Sequence, residues 1–303
     1  MTQPWDPVHP VNEALARQLL SDRFPDLALD DLIYQGRGWD NDVWRCGALV
    51  FRFPHRPEGV TLIEREWRVL PHLVGRLPLD IPEPVGRGEV SEAYPSPFLA
   101  YRWIPGELPH RLSLAPEQRA AAAEPLAGFL RALHAISTAE AAEWGVPGTS
   151  NRREVASRLP WARKRAEQLA STPYRRSAER ALAAMDPLPP EVSDPELALI
   201  HGDLHAGQVL FDADRRVSGI LDWGEVAVGD PAFDLQLVDA FLPPGARSRF
   251  WEVYGPVSEP VRARARFIAL SYGLAILVNA LDTGDAALRD EAARSLEHGI
   301  ERA

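Results

Sequence analysis

Two aspartates, Asp203 and Asp222, each close an apolar run, in ALIHGDL and RVSGILDWG, and a strand-turn-strand pattern fills their separation of 19 positions. An interval of that kind can bring both carboxylates to one edge. A hard cation such as Mg²⁺ takes one or two carboxylates together with substrate phosphates and water. A second carboxylate nearby orients an attacking hydroxyl, or accepts its proton. The stretch IHGDLHAGQVLFD, 200–212, also holds His201 and His205 beside Asp203, and alternate residues of one strand share a face, so a metal cluster is the competing reading. Gly202 interrupts that alternation, and no further zinc ligand stands at recognisable spacing.

His201-Gly202-Asp203-Leu204-His205-Ala206-Gly207-Gln208 resembles the catalytic loop of the aminoglycoside and macrolide phosphotransferases, antibiotic kinases with a protein-kinase-like fold. Asp222-Trp223-Gly224 is similar to the metal-binding triplet that follows it, and GDPAFDL at 229–235 extends the likeness. In kinases generally, H-x-D, four residues and Asn precede D-x-G at about this interval. The resemblance covers nearly the whole chain. QGRGWDN, with Gly36 and Gly38, is similar to the loop over the nucleotide phosphates; LVFRFP places Arg52 where the family carries a phosphate-contacting base; and Glu66, in EREWRVL, matches the acidic partner of that base. PFLAYRWIPG resembles the hinge, where backbone groups of Arg102, Trp103 and Ile104 meet a purine.

The resemblance implies transfer of the γ-phosphoryl of ATP or GTP to a hydroxyl of a small molecule, with Mg²⁺ as cofactor. Asp203 is then the base or hydroxyl-orienting group, Asp222 and Gln208 are metal ligands, and Arg52 holds the α- and β-phosphates. His201, Asp230 and Asp234 fall to structural roles around the loop, His205 lies within it, and His134 reads as a core or helix-end residue. Two positions depart from the pattern. Arginine replaces the usual lysine at 52, and of 33 basic residues the single lysine is Lys164, in the helical half; a guanidinium can still bridge phosphate and carboxylate bidentately. Gln208 stands where asparagine is usual and carries the same oxygen one methylene further out. An active enzyme with a shifted loop, an active enzyme with one metal, and a degenerate nucleotide binder all stay open at that residue.

The elements needed to hold these residues are legible in outline. VNEALARQLLSDRF, 11–24, has the period of an amphipathic helix; 31–54 reads as two or three antiparallel strands with turns at Gly36 to Asn41 and near Gly47; TLIEREWRVLPHL, 61–73, is helical; and two further strands lie within 81–109. Beyond IPGELP the pattern is helical, with Leu126, Phe129, Leu130 and Leu133 on one face after Pro116. An arginine-rich helical segment follows at 151–186, then a proline-rich loop, DPLPPEVSDPE, then short strands around the motif, and from about 231 mostly helix. The expected class is α+β: a two-lobed protein-kinase-like fold with a β-rich nucleotide-binding lobe, 1–104, and a mostly helical catalytic and substrate-binding lobe, 105–303.

Length and composition bound the function. At 303 residues the chain exceeds the size at which one core usually stops growing. A net charge of −10 argues against a nucleic-acid partner and suits a cationic acceptor. The single cysteine, Cys46, excludes an intramolecular disulfide and any paired-cysteine zinc site. MTQPWDPVHP carries no secretory signal, which with Cys46 reads as cytoplasmic. FIALSYGLAILVNAL, 267–281, is short and polar for a membrane span and reads as a buried core helix. The acceptor expected is an antibiotic-like macrolide or aminoglycoside, or an amino alcohol. The alternatives are a kinase of a sugar or other metabolite, or a non-catalytic nucleotide-binding module; oligomeric state is undetermined.

Overall fold

Asn12 starts the first helix, its side chain accepting from the Leu15 N–H at 3.0 Å, one of the donors a helix start otherwise leaves unpaired. In the computed structural model, which describes residues 7–148, 155–186 and 196–301, that helix is α1, Glu13–Arg23. Three strands follow, β1 (Leu32–Arg37), β2 (Asn41–Cys46) and β3 (Leu49–Pro54). The first turn is tighter than the sequence suggests. Gly36, at φ 136°, absorbs an irregularity in the β1–β2 pairing and keeps the strand running to Arg37, so only residues 38–40 turn. Next come α2 (Pro57–Leu73), β4 (Pro84–Gly88) and β5 (Phe98–Arg102). The helix begins four residues before the periodic apolar run because Pro57 is preorganised for a first turn.

The contacts divide the chain into two units, the first being Met1–Arg76 with Ile81–Ile104 and Asp222–Glu225. Its antiparallel sheet has the order β1-β2-β3-β5-β4. Strand alternation sets what each face carries. Phe51, Phe53, Phe98 and Ala100 join Leu19, Leu20 and Trp44 in one apolar core. Arg52 and Tyr101, at the intervening positions of β3 and β5, therefore occupy the opposite face, where α2 packs.

The second unit comprises Leu77–Asp80, Pro105–Leu221 and Val226–Ala303. It contains α3 (Pro116–Ala121), α4 (Ala123–His134), α5 (Thr138–Glu143), α6 (Val155–Gln168) and α7 (Arg175–Met185). Four short strands follow: β6 (Ala198–Ile200), β7 (Val209–Phe211), β8 (Val217–Ile220) and β9 (Ala227–Gly229), paired as β6-β9 and β7-β8. The chain continues with α8 (Ala232–Phe241), α9 (Arg247–Tyr254), α10 (Glu259–Thr283) and α11 (Ala286–Ile300). The expected helical face of α4 is buried: Leu126, Phe129, Leu130 and Leu133 are all 1% exposed or less. Residues 151–154 and most of the proline-rich loop, 187–195, lie outside the described residues.

The apolar run at 267–281 forms the C-terminal part of a longer helix than the sequence reading allowed. α10 has 25 residues and is long and apolar enough to cross a membrane by length and composition. Of its most apolar stretch, 61% is buried inside the protein, where it packs against α6, α8 and α11. That packing is what a core helix shows.

One charged pair inside this unit sets a stability test. Arg119 of α3 and Glu291 of α11, 3% and 5% exposed, form a bidentate pair at 2.7 and 2.5 Å. Removing one member of a buried pair strands the other charge. Glu291→Ala is expected to lower the unfolding free energy by about 3 kcal/mol. Adding Arg119→Met should recover part of that loss, as urea denaturation of both variants would show.

Candidate active site

In the first unit, helical spacing puts a carboxylate among apolar residues: Ile63, Glu66, Leu70 and Leu73 line one buried face of α2, and Glu66 is 0% exposed. A buried carboxylate needs a partner. Arg52 supplies it, with Nη1 donating to Glu66 Oε1 at 2.7 Å, while the Tyr101 hydroxyl donates to Glu66 Oε2. Nη2 of the same guanidinium donates to Asp222 Oδ1 at 2.9 Å. Burial alone would pull the Arg52 pKa down, but Glu66 and Asp222 outweigh it, and the group is a cation at any working pH. Burial pushes Glu66 up, and Arg52 pulls against that shift. The sequence-derived pair Arg52 and Glu66 is thus a salt bridge, and Asp222 shares its cation.

Asp222 has a left-handed φ of 67°, unusual for a residue other than glycine, and its side chain is 50% exposed. The segment around it is pinned to α2. Arg65 Nη1 donates to the Gly224 carbonyl at 2.6 Å, and a Cβ on Gly224 would lie 2.8 Å from Leu62 Cβ, so only glycine fits. Trp223 is fully buried. These restraints impose the Asp222 backbone conformation, which is where strain at a functional position is expected.

Gly38, in the β1–β2 turn, donates its N–H to the Asn41 carbonyl at 2.9 Å, and Gly36 lies within β1. In the segment read as a hinge, Arg102 N–H donates to Glu83 O at 3.0 Å and Trp103 N–H donates to Ala48 O at 2.9 Å. Those two donors are already spent within the first unit.

In the second unit, Asp203 follows Gly202, whose φ of 85° turns the chain out of β6. The turn is fastened from behind by Asp234, the first-turn carboxylate of α8. Oδ2 accepts from His201 N–H at 2.8 Å, Oδ1 accepts from Gly202 N–H at 2.9 Å, and the His134 ring lies 3.1 Å from Oδ2. His201 joins the two aspartate-bearing segments. Its Nε2–H donates to the Leu221 carbonyl at 2.9 Å, because a carbonyl only accepts, and its Nδ1 accepts from Asp203 N–H at 3.4 Å. Asp230 pairs instead with Arg264, at 2.6 Å.

Burial alone would raise the Asp234 pKa. The hydrogen bond from His134, the positive potential of His134 and His201, and the Gly202 N–H together outweigh it, and the pKa lies below the ordinary aspartate value. This assigns the structural role expected for His201, Asp234 and His134 to one hydrogen-bonded group.

His205 caps a short 3₁₀ turn, Ala206–Gln208, with Nδ1 accepting from Gly207 N–H at 3.0 Å. Gln208, 5% exposed, folds back on it: Oε1 accepts from His205 N–H at 3.0 Å, and the amide nitrogen lies 2.9 Å from His205 Nε2. His201, Asp203 and His205 point to different partners, and no group of three metal-ligating side chains occurs among the described residues. β6 ends at Ile200, and Gly202 turns the chain between His201 and Asp203, so the strand alternation that a shared face would need is not present.

Sequence reasoning missed two tyrosines. Tyr101 completes the partners of Glu66, and Tyr272 of α10 donates to Asp203 Oδ1 at 2.5 Å. The available signal for Tyr272 was a phenol inside an otherwise apolar helix.

Comparison with known proteins follows the same outline. The model described as "Phosphotransferase enzyme family" matches residues 35–268. Viomycin phosphotransferase of Streptomyces vinaceus is 34% identical over 163 residues, 52% of this chain and 55% of that protein, so the match spans about half the length of that relative. Among solved structures, the GDP complex of wild-type aminoglycoside 2'-phosphotransferase-IIIa aligns with a TM-score of 0.70 at 22% identity, over 96% of this chain and 99% of the other. A macrolide 2'-phosphotransferase from Brachybacterium faecium aligns with a TM-score of 0.60 at 23% identity, over 94% and 98%. The expected protein-kinase-like fold is the one observed.

The Asp234 network predicts a pH signature. A carboxylate whose folded pKa is depressed contributes stability above its unfolded pKa, about 3.9, and loses that contribution as pH falls through the folded value. Asp234→Asn should cost about 2 kcal/mol near neutrality and flatten the loss of stability below about pH 4. Thermal melts of wild type and variant from neutral to acidic pH would show whether the two curves converge.

Proposed function

We propose that this chain, which belongs to the phosphotransferase enzyme family, transfers the γ-phosphoryl group of ATP or GTP to a hydroxyl of an antibiotic-like small molecule. The observation that carries the reading is the buried ion pair of Arg52 and Glu66, whose cation also reaches Asp222. A hydrophobic core gains little from such a pair, because desolvation offsets the Coulomb attraction. A permanently charged guanidinium with further N–H donors suits phosphate oxygens.

Within the first unit, Asp222 suits a hard cation, its half-exposed carboxylate being a ligand that Mg²⁺ takes together with phosphate oxygens and water. Mg²⁺, when bound, neutralises charge on the phosphate oxygens. Arg52 binds the α- and β-phosphates, the irregularity of β1 at Gly36 and the turn at Gly38 cover them, and backbone groups of 102–104 meet the purine. Asp203 orients the acceptor hydroxyl and receives its proton; most of the catalysis is positioning.

The acceptor class rests on the relative named for viomycin, on neighbours named for aminoglycosides and macrolides, and on the acidic net charge, which suits a cationic molecule. The cytoplasm, which supplies nucleotide and Mg²⁺, is the corresponding compartment. The test is steady-state turnover with ATP and with GTP, each against viomycin, kanamycin, a macrolide and simple amino alcohols. Acceptor-dependent nucleotide consumption is expected with at least one of them, and Asp203→Asn should lower kcat by roughly 10²–10⁴-fold. Tight Mg-nucleotide binding without turnover on any acceptor would sink the proposal and leave a nucleotide-binding module.

A further inference from the structure

The clamps around the catalytic loop act on its backbone. Asp234 holds the N–H groups of His201 and Gly202, and His201 receives the N–H of Asp203. These bonds fix where the Asp203 Cα lies, but the terminal torsion of an aspartate is soft and roughly two-fold. Another contact must therefore aim the carboxylate. The Tyr272 hydroxyl makes it, donating to Oδ1 at 2.5 Å, within the range of strong O–H···O⁻ bonds.

Tyr272 is itself held on several sides. α10 fixes its backbone, the Arg158 guanidinium of α6 sits 4.8 Å over its ring and 5.1 Å over that of Phe233, and the His205 ring centroid is 6.1 Å away. Burial, followed by the neighbouring Asp203 charge, pushes the phenol pKa up, which keeps it a donor. Filling a helix core requires only the ring; the hydroxyl is the part that meets Asp203.

We infer that Tyr272 is a positioning residue for Asp203: its hydroxyl occupies one carboxylate oxygen and turns the other toward the acceptor hydroxyl. The inference rests on the phosphotransferase reading above. Because transfer depends on the alignment of the attacking oxygen, losing this restraint should act on kcat and spare ground-state binding.

Tyr272→Phe keeps the ring and removes the hydroxyl. With whichever acceptor from the panel above the wild type phosphorylates, kcat is expected to fall about tenfold or more. KM for acceptor and nucleotide should stay within about twofold, because the lost interaction acts on the transition state. In the Asp203→Asn background the same substitution should have little further effect, since the two residues act as one unit; a purely structural tyrosine would subtract its cost in both backgrounds. Melting temperatures of all four proteins, and the acceptor-independent Kd for Mg-nucleotide, separate misfolding from mispositioning. Unchanged kcat in Tyr272→Phe overturns the inference alone. A lowered acceptor KM at constant kcat also overturns it, because it would mean that the phenol merely occupies the acceptor's place. Wild-type protein that phosphorylates nothing in the panel overturns the phosphotransferase reading and this one with it.

Discussion

A single carboxylate in the second unit determines where the 201–208 loop can sit. Asp234 is fully buried, accepts the backbone N–H groups of His201 and Gly202, and contacts the ring of His134. A charge in that position would be costly unless every lone pair were used, and here the hydrogen bonds outweigh burial. Gly202 can take its left-handed turn because both adjoining N–H groups have found an acceptor. From that turn His201 reaches the Leu221 carbonyl at the end of the β7-β8 segment, so the anchor extends to a second stretch of the same unit.

The first unit uses the same principle with opposite charge. Glu66 is buried because the period of α2 leaves it no other face, and Arg52 is brought to it because strand alternation points it away from the phenylalanine core. Each residue alone would be destabilising. Together with Tyr101 they form a group whose cation is left to meet Asp222. Arginine suits this position better than lysine would, because its planar fork reaches two carboxylates at once.

Gln208 and His205 hold their own loop together. The Gln208 amide oxygen accepts from the His205 N–H and the His205 Nδ1 accepts from the Gly207 N–H, so both side chains brace a short 3₁₀ turn.

Much of this was legible in the amino-acid order. Periodicity marked α1, α2, α4 and the strands, since side-chain direction repeats with backbone geometry. H-x-D and D-x-G marked the loop, and the family resemblance implied that Arg52 and Glu66 pair. Boundaries were less legible where one residue altered the backbone, as at Gly36 and Pro57, and the length of α10 was hidden because its polar ends pack as part of the same helix. Beyond Arg52 and Glu66, the partners of these groups were not legible. Glu66 with Tyr101, Asp203 with Tyr272 and His201 with Leu221 are contacts between residues 20 to 69 positions apart. The sequence by itself determined which chemical groups are present and which backbone elements carry them, because those follow from local sterics and periodicity. Only the tertiary structure decided which oxygen each donor reaches, because that depends on how helices and strands distant in the chain pack against one another.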